Sequence, residues 1–220
     1  QPIITKTDEE GYKTVFSDSI MLNVSRGCTR GCRFCMSSYL YRPLRETKIE
    51  ELVNIAIKTR ENTNLNKITL IGAAVGDYYD LEGLTKALES EDFQIATPSL
   101  RIDSLSRKTL ETLKKSGLKS ITIAPESISK LRERINKNIS DEKIFSVIKN
   151  AVELDFNIKL YFLIGIPYES KEDIEELANY IEKIANMHKN RKYMKFSITM
   201  MLFCNIFLQK LIGILHAIHM

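Results

Sequence analysis

At 220 residues and 44% hydrophobic content, the chain is long enough to bury one sizeable core, and one domain is expected. A formal net charge of +4 with a pI near 8.8 is mildly basic: it is compatible with an anionic partner but falls short of a dedicated nucleic-acid binder. Three of the four cysteines fall within eight residues, which excludes a small disulfide scaffold and points to a reducing cytoplasm.

The chain opens on polar and acidic residues from Gln1 to Glu10, with no basic patch followed by an apolar run, so no signal peptide is expected. Its first residue is Gln1 and not Met, and this start is read as a fragment boundary. Residues 1–17 form a lead-in segment. Short apolar or β-branched runs then recur at Ile20–Val24, Lys67–Ile71, Phe93–Ala96, Ile121–Ala124, Ile158–Ile164 and Lys195–Thr199, predicting six strands with helices between them. After the first run, Thr47 and Glu50 have the spacing of a capping box, followed by Ile49, Leu52, Val53, Ala56 and Ile57 on one helical face. Similar faces follow at Leu81, Leu84 and Leu88, at Ile144, Val147, Ile148 and Ala151, and at Ile174, Leu177, Ala178 and Ile181 behind a Ser170 cap, while Gly117 ends another helix. Alternating β and α elements imply an α/β fold with parallel strands and right-handed crossovers, either an open doubly wound sheet or a barrel. Periodicity does not choose between them.

The unusual residues sit just past the ends of these strands: Cys28 to Cys35, Gly72-Ala73-Ala74, Pro98-Ser99-Leu100-Arg101, Ala124-Pro125-Glu126-Ser127 and Gly165-Ile166-Pro167. Any one of them alone is ordinary turn chemistry. Five together mark the rim where parallel α/β architectures bind ligands.

Within Arg26-Gly27-Cys28-Thr29-Arg30-Gly31-Cys32-Arg33-Phe34-Cys35 the thiols are spaced C-x3-C-x2-C, so one short loop can wrap a single cluster. A cubane iron–sulfur cluster is usually held by four thiolates. Cys204 is far down the chain, so three protein ligands leave one iron open, as a catalyst needs and an electron carrier does not. Arg26, Arg30 and Arg33 crowd the loop and offset the charge of the thiolates. Zinc would want a fourth ligand, yet the nearest histidine in sequence is His188. Disulfide pairing would strand one thiol, and three unrelated buried cysteines have no reason to cluster beside two glycines. The Cys28, Cys32 and Cys35 set is therefore read as a 4Fe-4S site. His188, His216 and His219 lie outside every rim segment and take no role.

Cys28, Cys32 and Cys35, with Phe34 just before the last cysteine, resemble the signature of the radical S-adenosylmethionine (radical SAM) superfamily. The resemblance implies an incomplete (β/α)6 TIM-like barrel over residues 18–199, with the cluster loop after the first strand and S-adenosylmethionine lying across the strand ends. It implies that Gly72-Ala73-Ala74 stands where the family commonly has a Gly-Gly-Glu-like turn on the methionine amino group; the acidic third position is missing here. The stretches at 26–35, 41–46, 98–103, 124–127, 131–137 and 165–167 resemble a branch related to the methylthiotransferases, whose barrel often follows a cobalamin-binding-type domain. By that resemblance Phe34 lies near the adenine, and Arg101, Glu126 and Arg132 hold polar parts of the cofactor or substrate. The competing expectations are a solvated helix face for Arg132, in a run with Glu133 and Arg134, and a satisfied helix N-terminal carboxylate for Glu126.

An electron donor such as a flavodoxin or ferredoxin, and a substrate that includes RNA among its candidates, follow from the same resemblance. Tyr39, Tyr41, Arg42 and Arg45 would guide an anionic substrate to the barrel mouth or pack as a lid over it. Residues 200–220, apolar with one charged residue, Lys210, depart from the resemblance and are expected to be an aberrant end left by a frameshift or truncation. The competing expectation is an amphipathic helix through Phe203, Phe207, Leu211 and Leu215 that covers the open side of the barrel. The run is interrupted too soon for a membrane span, so no membrane partner is expected.

Overall fold

The structure, a computed structural model, describes residues 18–97, 99–188 and 194–200. Strands β1 (Ile20–Asn23), β4 (Lys67–Ile71) and β5 (Gln94–Ala96) form one parallel sheet, and β6 (Ser120–Glu126), β7 (Asn157–Ile164) and β8 (Met194–Met200) form another. The Leu100 N–H donates to Thr122 O at 2.9 Å, and the Ile95 N–H to Ser116 O at 3.3 Å, which joins the two sheets side by side. No pairing of β1 with β8 occurs among the described residues. The result is a six-stranded parallel barrel left open on one side. Two further strands that hydropathy runs did not mark, β2 (Ser25–Arg26) and β3 (Arg45–Glu46), pair antiparallel and are only two residues long. They pinch together the two ends of the excursion that carries the cysteines and the short helix α1 (Ser37–Leu40).

Period-two burial fixes which side of each strand meets the helices. Ile20, Leu22, Ile68, Leu70, Ile121, Ile123, Ile158, Leu160 and Phe162 are buried in one core with the inner faces of the helices. Those helices are α2 (Ile49–Thr63), α3 (Leu81–Ser90), α4 (Arg107–Lys115), α5 (Ser129–Arg134), α6 (Asp141–Glu153) and α7 (Lys171–Ala185). Leu84, Leu88, Leu110, Leu113, Ile144 and Ile148 are fully buried, each worth about 1.5–3 kcal/mol of transfer free energy. Gly117 takes φ +91° directly after α4, as a left-handed helix terminus requires.

Two local expectations fail for identifiable reasons. The Thr47–Glu50 capping box does not form, because α2 starts after Lys48 without a side-chain cap. Thr47 is engaged elsewhere: its N–H donates to Val24 O at 3.1 Å, and its carbonyl accepts the Tyr78 hydroxyl at 2.5 Å. On α7 the Ser170 cap forms as a full capping box with Asp173. The buried face, however, runs through Asp173, Leu177 and Ile184, leaving Ile174 and Ala178 exposed. Asp173 accepts from Lys130 Nζ at 2.8 Å, which gives the buried carboxylate on that face its partner. Among the described residues no helix is long and apolar enough to cross a membrane. The lead-in at 1–17 and the tail at 201–220, with Cys204, His216 and His219, lie outside the described residues.

Candidate active site

The cysteine loop is shaped by close backbone approach. Gly27 has φ +98°, and a Cβ there would stand 2.4 Å from Tyr41 O and 2.8 Å from Pro43 O, so no other residue fits. The Cys35 N–H donates to Cys32 O at 3.0 Å, closing the turn between those thiols. Cys28 and Cys32 are buried, Cys35 is half-buried, and all three are free thiols.

A cleft of about 220 Å³ opens over the C-terminal strand ends. Cys28, Cys32, Cys35, Phe34, Gly72, Ala73, Ala74, Arg101 and Glu126 all line it, as do Ser99, Thr122, Lys137 and Tyr161. Pro98 lies outside the described residues. Of the five predicted rim segments, Gly165-Ile166-Pro167 does not line the cleft. Ile166 is instead buried in the core, and the Gly165 N–H is held by the Glu169 carboxylate at 2.5 Å. A larger hollow of about 720 Å³, beside Arg33, Glu133 and Asn138, contains no thiol, and of the candidate ligands Arg132 alone lines it.

The charges around the cleft are tightly apportioned. Arg101 Nη1 lies 3.7 Å from Cys32 Sγ and Nη2 donates to Asp103 at 3.2 Å. Arg30 makes a two-point pair with Asp77, at 2.7 and 2.6 Å, and reaches Asp103 at 2.9 Å. The Asp77 hydrogen bond dominates in raising the Arg30 pKa above its ordinary value. The cysteine loop is thus strapped to the turns after β4 and β5 by an Arg-Asp-Arg chain. Across the cleft, Glu126 ends β6 with φ +70° at an irregular register between Ile123 and Glu126. A positive φ is costly for a glutamate. It aims the carboxylate inward, where Lys137 Nζ meets it at 2.6 Å with both side chains nearly buried.

Three thiolates, a small-residue wall at Gly72–Ala74, a half-buried guanidinium and a buried carboxylate suit a multi-iron cluster with an attached amino acid. At Gly72 a Cβ would come 2.8 Å from Ser25 Oγ, so the turn after β4 packs closely on β2. Among the described residues no three His, Cys, Asp or Glu side chains converge on a single metal position. Each thiolate of a cubane binds a different iron and need not converge with the others.

Sequence reasoning missed Lys137 and Asn136, because a residue that reaches back into a site from eleven positions on carries no periodic signal. The Asn136 amide donates to Gly31 O at 2.9 Å. Arg132 corrects the solvated-face expectation: it is 1% exposed. Its Nε donates to Ile139 O at 2.9 Å, and its two terminal nitrogens bind Ser127 O and the Asp141 carboxylate. Those bonds use the whole guanidinium to brace the loops around α5. Tyr39 and Tyr41 are exposed next to the cysteine loop, with Arg42 and Arg26 over their rings at 5.8 and 5.4 Å.

Comparison with known proteins places this arrangement. An uncharacterized protein of Methanocaldococcus jannaschii (MJ0966) is 39% identical over 185 residues, covering 83% of this chain and 40% of that protein. A tRNA-2-methylthio-N(6)-dimethylallyladenosine synthase of Ehrlichia canis is 22% identical over 201 residues, 83% of this chain and 45% of that one. The chain therefore spans less than half the length of either relative. In fold it is similar to the radical S-adenosylmethionine methyltransferase TsrM of Kitasatospora setae, solved with cobalamin and a [4Fe-4S] cluster bound; the TM-score is 0.66 at 10% identity, covering 81% of this chain and 36% of that one. The family model described as the radical SAM superfamily matches residues 22–181, and the chain belongs to that superfamily.

Proposed function

We propose that this chain is the catalytic barrel of an enzyme that cleaves S-adenosylmethionine reductively to start radical chemistry on a substrate. The observation that carries the reading is the single cleft that gathers Cys28, Cys32 and Cys35 with Gly72–Ala74, Arg101 and Glu126. Cys28, Cys32 and Cys35 would hold a 4Fe-4S cluster, and the cluster with bound cofactor would supply electron transfer into the sulfonium and a 5'-deoxyadenosyl radical. The chain's own residues bind and orient. Arg101, beside Cys32, offsets thiolate charge and offers a guanidinium to a carboxylate; the backbone at Gly72–Ala74 accommodates an amino acid where side chains would block it. Phe34, 37% exposed, offers a ring face at the mouth of the cleft. Glu126, paired with Lys137 at 2.6 Å, accepts hydrogen bonds from hydroxyl or amino groups. The walls exclude water, as radical chemistry demands.

The modification of an RNA is a finer reading, supported by the name of the Ehrlichia relative and by the exposed Tyr39 and Tyr41 with their stacked arginines. A flavodoxin or ferredoxin as electron donor, and a reducing cytoplasm as the setting, follow from the chemistry of such a cluster. The competing reading is an electron-carrying cluster module. It leaves the half-buried Arg101 and the buried Glu126 of the cleft without a purpose.

Anaerobic reconstitution tests the proposal. Uptake of about four iron and four sulfide per chain is expected, with reductive formation of 5'-deoxyadenosine that is lost in Cys28→Ala, Cys32→Ala and Cys35→Ala. An intact cluster that yields no 5'-deoxyadenosine would overturn it.

A further inference from the structure

Of the three thiols in the cleft, Cys32 alone has a side-chain donor among the described residues: Arg101 Nη1 lies 3.7 Å from its Sγ. Cys32 is buried and the Arg101 side chain is 15% exposed, so little water competes for that sulfur. The guanidinium is anchored from its other edge. Its Nη2 donates to one oxygen of Asp103 at 3.2 Å, and its Nε lies 2.8 Å from the other oxygen in an ion contact off the N–H line. The carboxylate thereby holds one side of the planar fork and turns the remaining nitrogen to the sulfur.

The charges around this contact cancel at long range. Arg30 closes on Asp77 at 2.6 Å and on Asp103 at 2.9 Å, so two arginines and two aspartates sum to no net charge. What survives at the thiols is the nearest member of the set, one N–H directed at one sulfur. An electron that enters an iron–sulfur cluster adds negative charge that spreads onto the thiolate sulfurs. A donor at a sulfur stabilises the reduced state more than the oxidised one and moves the potential upward. The effect is larger where the local dielectric is low.

We infer that Arg101 sets the reduction potential of the cluster held by Cys28, Cys32 and Cys35, through an N–H that the Asp103 carboxylate aims at the Cys32 sulfur. In this role Arg101 acts through Cys32, and Asp103 is the positioning residue behind it. The inference deepens the proposed function and rests on it for the presence of the cluster. It concerns how readily the cluster takes its electron, whatever reaction follows.

The test is a redox titration of the anaerobically reconstituted chain without S-adenosylmethionine. Dithionite supplies one electron per cluster and is itself oxidised, mediators fix the solution potential, and the paramagnetic signal of the reduced cluster is read at each step. Arg101→Met and Arg30→Met each remove one positive charge from the same set of four residues, but only the first removes the donor at sulfur. Poised at the wild-type midpoint, Arg101→Met should lower the ratio of reduced to oxidised cluster about ten-fold, or about 59 mV for a one-electron couple. Arg30→Met should lower it no more than about two-fold, since its charge is more distant and screened. Arg101→Lys, which keeps the charge but not the fork, should lower it about three-fold. Equal shifts in Arg30→Met and Arg101→Met would assign the effect to net charge and overturn the inference. So would an unchanged midpoint in Arg101→Met, or in Arg101→Lys where the Met variant holds no iron. Loss of the cluster from both Arg101 variants would make the residue a structural anchor and overturn it as well. A wild-type chain that takes up no iron would overturn the proposed function and this inference with it, whereas an intact cluster with an unmoved midpoint overturns the inference alone.

Discussion

The cysteine loop at 26–36 and the segment at 126–140 face each other and are built on opposite plans. The cysteine loop has little holding it from within and takes its shape from elsewhere. The Arg33 N–H donates to Ile135 O at 2.9 Å, Arg33 Nη1 to Arg134 O at 2.6 Å, the Asn136 amide to Gly31 O at 2.9 Å and the Tyr39 hydroxyl to Gly31 O at 3.2 Å. The opposite segment is braced from within by buried Arg132 and Lys137. One loop is the cargo holder and the other is its frame. On the proposed function the cysteine loop holds the cluster, and the hydrogen bonds that fix its backbone come from a neighbour braced by its own side chains.

The largest way to break this comparison is to remove the internal brace. Arg132→Met leaves the carbonyls of Ser127 and Ile139 without their donor and Asp141 without its partner. Orphaned buried acceptors cost about 1–3 kcal/mol each, while Asp141, 36% exposed in its side chain, is returned to water; a loss of about 2–6 kcal/mol is expected in urea unfolding of the metal-free chain. A change below about 1 kcal/mol, the size of a surface substitution, would mean that Arg132 is not what makes the segment rigid.

A middle-sized effect separates holder from frame. Asn136→Gly keeps a residue that tolerates the φ of 55° at this position but removes the amide that holds Gly31 O. Stability should fall by about 1 kcal/mol, the worth of one hydrogen bond. Cluster retention should suffer more: iron should leave several-fold faster under a chelator, measured by loss of visible absorption. If unfolding free energy and iron retention decline in proportion, the two loops are one cooperative unit and the distinction fails.

The frame was also the harder part to read in the sequence. Six strands and most helices follow from period-two and period-3.6 burial, and the observed bounds depart from the expected ones by one or two residues at most ends. The cysteine loop is legible because its chemistry is local, with three thiols and two glycines in one short stretch. The frame is not. Arg132 resembles any charged helix residue between Glu133 and Arg134, and only the fold brings Ile139 O and Ser127 O around it. Lys137 and Glu126 are eleven residues apart, and their pairing requires the left-handed bend at Glu126, which has no glycine to announce it. Thr47 has the spacing of a cap but is claimed by Val24 and Tyr78, contacts of long sequence range. What failed in each case was the placement of a polar group whose partner is set by tertiary structure.

The smallest expected effect lies where the frame meets α7. Asp173 is held below the usual carboxylate range first by the Lys130 hydrogen bond, then by the Ser170 N–H at 3.0 Å. A carboxylate with a lowered folded pKa stabilises the fold above its unfolded value of about 3.9, and that contribution is lost as pH falls through the lower folded value. The urea midpoint of the wild-type chain should therefore drop between pH 5 and pH 3, with part of the drop due to Asp173. In Lys130→Met the leading cause of the depression is gone while the capping box remains. The difference between the two midpoints should shrink but not vanish. Lys130 is more than half exposed in its side chain, so salt screens the pair and the gap between variant and wild type should narrow further in 0.5 M NaCl. An unchanged pH dependence in Lys130→Met would leave the capping box as the sole anchor of Asp173, and the frame would then end at α5 without a strut to α7.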